Sequence, residues 1–381
     1  MNFSYSNPTQ IQFGQGQIAS IAQLIPKDKK VLLVYGGGSI KQNGIYNQVI
    51  TALQGHAVVE FAGVKPNPIV EQLDDAVQLA RKERVDFILA VGGGSVIDAV
   101  KYIAGAFYYQ GEGWDILKKR VPVERALPLG AILTLPATGS ESNPASVIGK
   151  ASTNEKLSFI SPAVLPKFAV LDPDVIKSLP ERQVANGVVD AFVHVCEQYL
   201  TYPTQALVQE GYAEALLKTL LQLGKTIDQQ DDAWRANLMW AANQALNGLI
   251  GTGVPQDWAT HMIGHELTAL YGVDHARSLA IIQPALLRNQ LENKRAKLMQ
   301  LGKNVFNLTE TDTLAEDTIQ AMEAFYLSLK VETRLTSYGQ DKDTAIEAVI
   351  ANLKSHGMAR LGEKQAIGIN HCREILAQAI D

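Results

Sequence analysis

Apolar and polar positions change rhythm once along this chain. Up to Pro180, short apolar runs rich in β-branched residues alternate with amphipathic stretches. IQFG (11–14), VLLVYG (31–36), HAVVEFAGV (56–64), FILAVGG (87–93), LGAILTLPA (129–137) and FAVLDP (168–173) are bounded by Gly, Pro and Asn and predict strands. Between them, 69–84 and 95–109 carry apolar residues at three- and four-residue spacing, as amphipathic helices do. Continuous apolar strands joined by helical crossovers predict a parallel sheet covered on both faces. After Pro180 the pattern is helical almost throughout, over 181–226, 232–250, 257–271, 278–306, 312–330 and 343–355. The chain therefore reads as an α/β, Rossmann-like N-terminal domain (1–179) followed by an all-α domain (180–381). Ligands are expected beyond the carboxyl ends of the strands, in a cleft towards the helical domain.

Composition narrows the class. An apolar content of 46% with 19% charged residues is that of an ordinary globular protein, and 381 residues exceed what one core holds comfortably. The net charge of −5 argues against nucleic acid or an anionic membrane as partner, since KDKK (27–30) and KKR (118–120) are too short for a footprint. No apolar run approaches a membrane span of about 18 residues. Two widely separated cysteines, Cys196 and Cys372, and an opening MNFSYSNPTQ without signal-peptide features lead to the expectation of a reducing cytoplasm.

The tetrapeptide GGGS occurs twice, at 36–39 and 92–95, each time at the end of an apolar run. Glycine leaves backbone amides exposed, and at a helix start these add to the dipole to make an anion site, most often for phosphate. A single copy would equally be a tight turn. Two copies, read as lying on the first and third interior strands, suit an extended dinucleotide held by Gly36, Gly37, Gly38 and Ser39 at one end and by Gly93, Gly94 and Ser95 at the other. The first copy is followed by Ser39 and Lys41 with no Asp or Glu, which favours NADP over NAD because an acidic residue commonly holds the NAD ribose. TLPATGSESN (134–143) adds Thr134, Thr138 and Asn143 as cofactor contacts, with capping of a following helix by Ser140 and Glu141 as the bland alternative. Lys156 offers a further cation for a phosphate. Asp98 either orients the nicotinamide end or caps its helix.

The second chemistry is metal binding. Asp190 and His194 stand four apart in VVDAFVHVCEQ, as do His261 and His265 in ATHMIGHELTALYGVDHA, and His275 follows a Gly-Val-Asp turn. That spacing stacks side chains on one helix face. Asp190 lies among Val188, Val189, Ala191, Phe192 and Val193, where a carboxylate is costly without a compensating cation. Carboxylate and imidazole suit Zn²⁺ or Fe²⁺, and three protein ligands suffice for a catalytic ion, so the spacing alone leaves the ligand set open. His56, His356 and His371 read as structural. Trp258, Leu249, Ile250 and Leu267 suggest an apolar pocket for small aldehydes or primary alcohols.

These residues together resemble the iron-containing alcohol dehydrogenase family, in its NADP-dependent aldehyde reductase and butanol dehydrogenase branch. The resemblance runs through YGGGS, AVGGGSVIDAVK, TLPATGSESN, VANGVVDAFVHVCEQY and ALNGLIGTGVPQDWATHMIGHELTALYGVDHA. It implies a dehydroquinate synthase-like two-domain fold, an NADP(H) cofactor, and one divalent ion, zinc or iron, on Asp190, His194, His261 and His275. His265 then corresponds to a further histidine beside the nicotinamide, a proton carrier or a hydrogen-bonding neighbour of the ligands. Family dimers imply a homodimer through FSYSNPTQIQFG. The expected reaction is hydride exchange between NADP(H) and small aldehydes or primary alcohols, with the ion as Lewis acid. Rival readings are a polyol dehydrogenase or a cyclising lyase on the same scaffold, and a nucleotide-binding sensor without catalysis. The lyase is disfavoured because 243–275 holds no Lys or Arg to grip a phosphorylated acid. A hydrolase is disfavoured because Met262 stands where HExxH requires Glu.

Overall fold

A computed structural model describes residues 2–339 and 342–380. In chain order its elements are β1 (Gln10–Phe13), α1 (Ile21–Leu24), β2 (Lys30–Tyr35), α2 (Ser39–Gln42), α3 (Ile45–Ala52), β3 (Ala57–Phe61), α4 (Val70–Glu83), β4 (Phe87–Gly92), α5 (Gly94–Ala106), α6 (Asp115–Lys118), β5 (Leu129–Leu133), β6 (Ala145–Lys150), β7 (Glu155–Ile160) and β8 (Phe168–Leu171). Then follow α7 (Glu181–Tyr199), α8 (Leu207–Lys225), α9 (Asp232–Ala245), α10 (Ala259–Tyr271), α11 (His275–Asn289), α12 (Leu291–Asn304), α13 (Leu314–Ser328), α14 (Lys342–Ser355), β9 (Arg360–Leu361), β10 (Ile367–Gly368) and α15 (Ile369–Ile380).

Six parallel strands form one sheet in the order β1-β8-β5-β4-β2-β3. Every residue of β4, β5 and β8 is buried, which is why these segments are apolar without alternation, whereas edge strands β1 and β3 keep exposed positions. All six predicted strands are present. The order reverses direction between β2 and β4: β3 lies outside β2, while β5 and β8 continue beyond β4. The two glycine turns, expected on the first and third interior strands, instead end neighbouring strands, with Tyr35 paired to Val91. They flank the point where open α/β sheets bind ligands.

Two compact units result: Ser6–Pro180 with Gln230–Asn243, and Met1–Tyr5 with Glu181–Gln229 and Gln244–Asp381. The first differs from a boundary at 179 by taking in most of α9. In the second, α7 is buried at every residue from Val184 to Tyr199, the pattern of a helix at the centre of a bundle. Among the described residues no helix is long and apolar enough to cross a membrane.

Several boundaries differ from the periodicity. The stretch 181–226 breaks between α7 and α8 at TYPTQA, where Pro203 removes an amide and Gln205 adopts φ 58°. Helix 232–250 stops at Ala245, and 278–306 is two helices, the first beginning at His275. The antiparallel hairpin β6–β7 was not among the predicted strands; its signals are the alternation of SVIG and KLSFI and a left-handed Asn154 at the turn. Helix α15 was also not anticipated.

Candidate functional site

In the helical unit, α7 supplies Asp190 and His194, α10 supplies His261, and His275 opens α11. One ligand atom from each of these four lies within 4.8 Å of the others. The Nε2 atoms of His194 and His261 face each other at 3.0 Å, and Asp190 Oδ1 lies 3.8 Å from His194 Nδ1 and 3.7 Å from His275 Nε2. Metal–ligand bonds near 2.1 Å in a tetrahedron put neighbouring donors about 3.4 Å apart, so the set has the right scale for one ion. Burial pushes the His194 imidazole down to about 4, keeping it in the neutral form that a ligand requires. One carboxylate among imidazoles, with Asp190 2% exposed, is a donor set that fits a divalent cation of the zinc or iron kind.

His265 lies beside this set rather than in it. Its ring centroid is 5.2 Å from that of His275 and 6.0 Å from that of His261. Trp258 and His261 pack edge to face, 5.2 Å between centroids, so the indole sets an apolar wall beside this ligand. Ile250 and Leu267 are buried, whereas Leu249 is 37% exposed. His356 is paired with Glu266 in the interior, and His56 sits between the carbonyls of Leu53 and Ile25.

Residues unmarked by the sequence patterns hold the ligands in place. Glu197, one turn beyond His194 on α7, contacts His261 Nδ1. Without an ion, burial aided by the charge of Asp257 pushes the Glu197 carboxyl well above its ordinary range; the amides of His261 and Thr260 and the Lys294 ammonium act in the opposite direction, as would a cation held by the neighbouring ligands. Asp274, immediately before His275, accepts hydrogen bonds from Arg182 Nε (2.9 Å) and Asn186 Nδ2 (3.0 Å), so α7 also fixes the turn that presents His275. Helical spacing puts Asn186, Asp190, His194 and Glu197 on one face of α7, but their partners Asp274 and His261 lie elsewhere in the chain, which no local spacing shows.

In the α/β unit the glycines answer to different constraints. At the first turn Gly38 has φ 103°, a conformation costly for other residues, and nothing lies within 4 Å of a Cβ built on Gly37. At the second, a Cβ on Gly94 would stand 2.5 Å from Thr138 Oγ1, and one on Gly92 would collide with Val96. Close packing of α5 against β4 and the loop after β5 therefore requires glycine there regardless of any ligand. Gly36 directly follows β2, Ser39 opens α2, and Gly93 with Ser95 brackets the start of α5. Thr134 donates its amide to Gly92 O, tying the loop after β5 to the second turn.

The TLPATGSESN loop does not cap a helix. Ser140–Ser142 make a single 3₁₀ turn entered through left-handed Gly139, and a strand follows. Buried Lys101 holds it, donating to Ser140 Oγ (2.8 Å), Asn143 Oδ1 (3.1 Å) and Ala145 O (2.7 Å). Asp98 sits in the second turn of α5, not at its cap, and accepts from Ser140 Oγ (2.5 Å) and Val147 N (3.0 Å). Burial raises its carboxyl and lowers the Lys101 ammonium to about 8. Lys156, brought in by the β6–β7 hairpin, donates to Asn67 Oδ1 (2.9 Å), and the Asn67 amide donates to Ser95 Oγ (3.3 Å), which links this cation to the second glycine turn.

The absence of an acidic group at the first turn holds only along the sequence. Glu60, from β3, lies 4.0 Å from Lys41 Nζ. Its two oxygens accept from Tyr35 and Tyr46 hydroxyls, each at 2.6 Å, and the Lys41 ammonium lies 5.2 and 4.7 Å from the same two rings. Burial works to raise the Glu60 carboxyl, but the two hydroxyls and Lys41 outweigh it and leave it below its ordinary value.

Comparison with known proteins gives a consistent result. Residues 8–173 match the family described as iron-containing alcohol dehydrogenase, and 184–378 match the Fe-containing alcohol dehydrogenase C-terminal family. The chain is 49% identical to the NADPH-dependent aldehyde reductase YqhD of Escherichia coli K12, over 99% of each chain, and 40% identical to the probable NADH-dependent butanol dehydrogenase 1 of Bacillus subtilis, over 92% of this chain and 94% of that one. Its fold superposes on a solved NADH-dependent butanol dehydrogenase A from Thermotoga maritima with a TM-score of 0.94 at 35% identity, covering 100% of this chain and 99% of that one.

Proposed function

This chain belongs to the iron-containing alcohol dehydrogenase family, and from that premise we propose that it interconverts small aldehydes and primary alcohols with NADP(H) as hydride carrier. The observation that carries the reading is the convergence of Asp190, His194, His261 and His275. These four would hold one divalent ion, Zn²⁺ or Fe²⁺. When bound, the ion supplies Lewis-acid polarisation of the substrate oxygen, and the dinucleotide supplies or accepts the hydride.

The chain's own residues do the rest. Asp190 contributes the negative charge that offsets the cation, while the imidazoles stay neutral and basic. His265, next to His275 and His261, carries the proton exchanged between substrate oxygen and solvent. Trp258 favours an apolar substrate over an acid. The glycine turns after β2 and β4, with Thr134, Thr138 and Asn143 in the loop after β5, receive the dinucleotide along consecutive strand ends, and Lys156 adds charge for its phosphates. Ser39 and Lys41 receive the 2′-phosphate. Asp98 acts by holding this loop in place rather than as a cap. Relatives named for NADPH-dependent aldehyde reduction and for butanol dehydrogenation favour this reading over the polyol alternative.

The free thiols of Cys196 and Cys372 fit a reducing cytoplasm, and β1, whose one strand neighbour is β8, offers the edge for a homodimer. The functional test is absorbance at 340 nm: it falls when the protein meets NADPH and butanal, and a chelator stops the fall. No oxidation of NADPH by any short aldehyde overturns the proposal. Asp190→Asn or His275→Ala with full metal content and unchanged rate overturns the ligand set, and elemental analysis names the metal.

A further inference from the structure

Helix α7 carries one more carboxylate on the face that bears Asp190 and His194. Glu197 is 4% exposed, and both its oxygens are directed at the start of α10. Oε1 accepts from the amides of Thr260 (2.8 Å) and His261 (3.3 Å), and Oε2 meets His261 Nδ1. A neutral imidazole has one N–H and one lone pair, and the partner of one nitrogen decides which is which.

We propose that Glu197 is a positioning residue for the metal ligand His261: it fixes the Nδ1–H tautomer, so that Nε2 presents its lone pair towards His194 and the ion. The two amide hydrogen bonds lock the carboxylate itself, so ring orientation is set by two helices at once. The inference rests on the metal reading of Asp190, His194, His261 and His275. The competing role is a helix cap, in which Glu197 only satisfies amides at the start of α10. That start already has another acceptor, because Asp257 Oδ1 takes the Ala259 amide at 2.8 Å and Asp257 is itself anchored by buried Lys294 at 2.8 Å.

Glu197→Gln separates the two roles. The amide oxygen can still accept from Thr260 and His261, so a cap survives, but its NH₂ would face Nδ1 and force the proton onto Nε2, where the ion should bind. Metal-free wild type, Glu197→Gln and Asp190→Asn are titrated with Zn²⁺ against a competing chelator, alongside far-UV circular dichroism and NADPH fluorescence. The expected result is about 10- to 100-fold weaker Zn²⁺ binding by Glu197→Gln with unchanged dichroism and NADPH binding. Wild-type Zn²⁺ affinity in Glu197→Gln, when Asp190→Asn has lost it, overturns the positioning role. Wild-type affinity in Asp190→Asn overturns the underlying metal reading instead. Should Glu197→Gln not fold, ¹⁵N-histidine NMR of the Zn²⁺-loaded wild-type protein decides: a protonated Nδ1 on His261 is expected, and a protonated Nε2 overturns the proposal.

Discussion

Lys101 keeps its ammonium in the interior of the α/β unit, with its three donors spent on Ser140, Asn143 and Ala145. Burial lowers it from 10.5 to about 8, so between those values the unfolded chain binds the proton that the folded chain releases. Stability attached to this group is therefore fully present above pH 10.5 and is lost as pH falls through 8, by about 3 kcal/mol at most. Urea titrations of wild type and Lys101→Met at pH 7 and pH 9.5 should show wild type gaining on the variant at the higher pH. Lys101→Met should also raise the KM for NADPH, because the loop after β5 loses its anchor. At the first glycine turn, Ser39→Asp introduces a carboxylate that repels a 2′-phosphate and accepts from a ribose hydroxyl, so the NADPH-to-NADH ratio of kcat/KM should fall about tenfold or more. The pressure for glycine and the spacing of Asp190 and His194 were legible residue by residue. Glu60 and Glu197 were not, because their partners Lys41 and His261 come from other elements.

Elements show why one tetrapeptide serves two purposes. The turn after β4 packs under Thr138, and Gly94→Ala should destabilise the protein by about 1–3 kcal/mol in urea unfolding. The turn after β2 has open space at Gly37, so Gly37→Ala should leave stability within about 0.5 kcal/mol while raising the KM for NADPH, if backbone must approach ligand there. The four interior strands were readable because buried parallel strands are apolar throughout, the edge strands β1 and β3 as short apolar runs bounded by Gly, Pro and Asn, and α7, α10 and α11 because they follow a helical period. What escaped the periodicity were places where one residue overrides a pattern: Pro203 and Gln205 between α7 and α8, and Asn154 turning the β6–β7 hairpin that delivers Lys156.

For the whole molecule, an ion that binds the folded helical unit alone stabilises it by about 2.7 kcal/mol at a concentration a hundredfold above its Kd. Dialysis against a chelator should abolish aldehyde reduction and lower the thermal midpoint of that unit in calorimetry, and one equivalent of Zn²⁺ or Fe²⁺ should restore both. The fold class, the glycine turns and the i,i+4 pairs were determined by the sequence alone, since strand burial, turn conformation and helical spacing act over a few residues. Tertiary structure decided which strands are neighbours, that both glycine turns flank the reversal of strand order, and that His261 meets His194 across 67 residues of chain while His265 stands aside. Those outcomes depend on how helices and strands distant in sequence pack together, which no local period encodes.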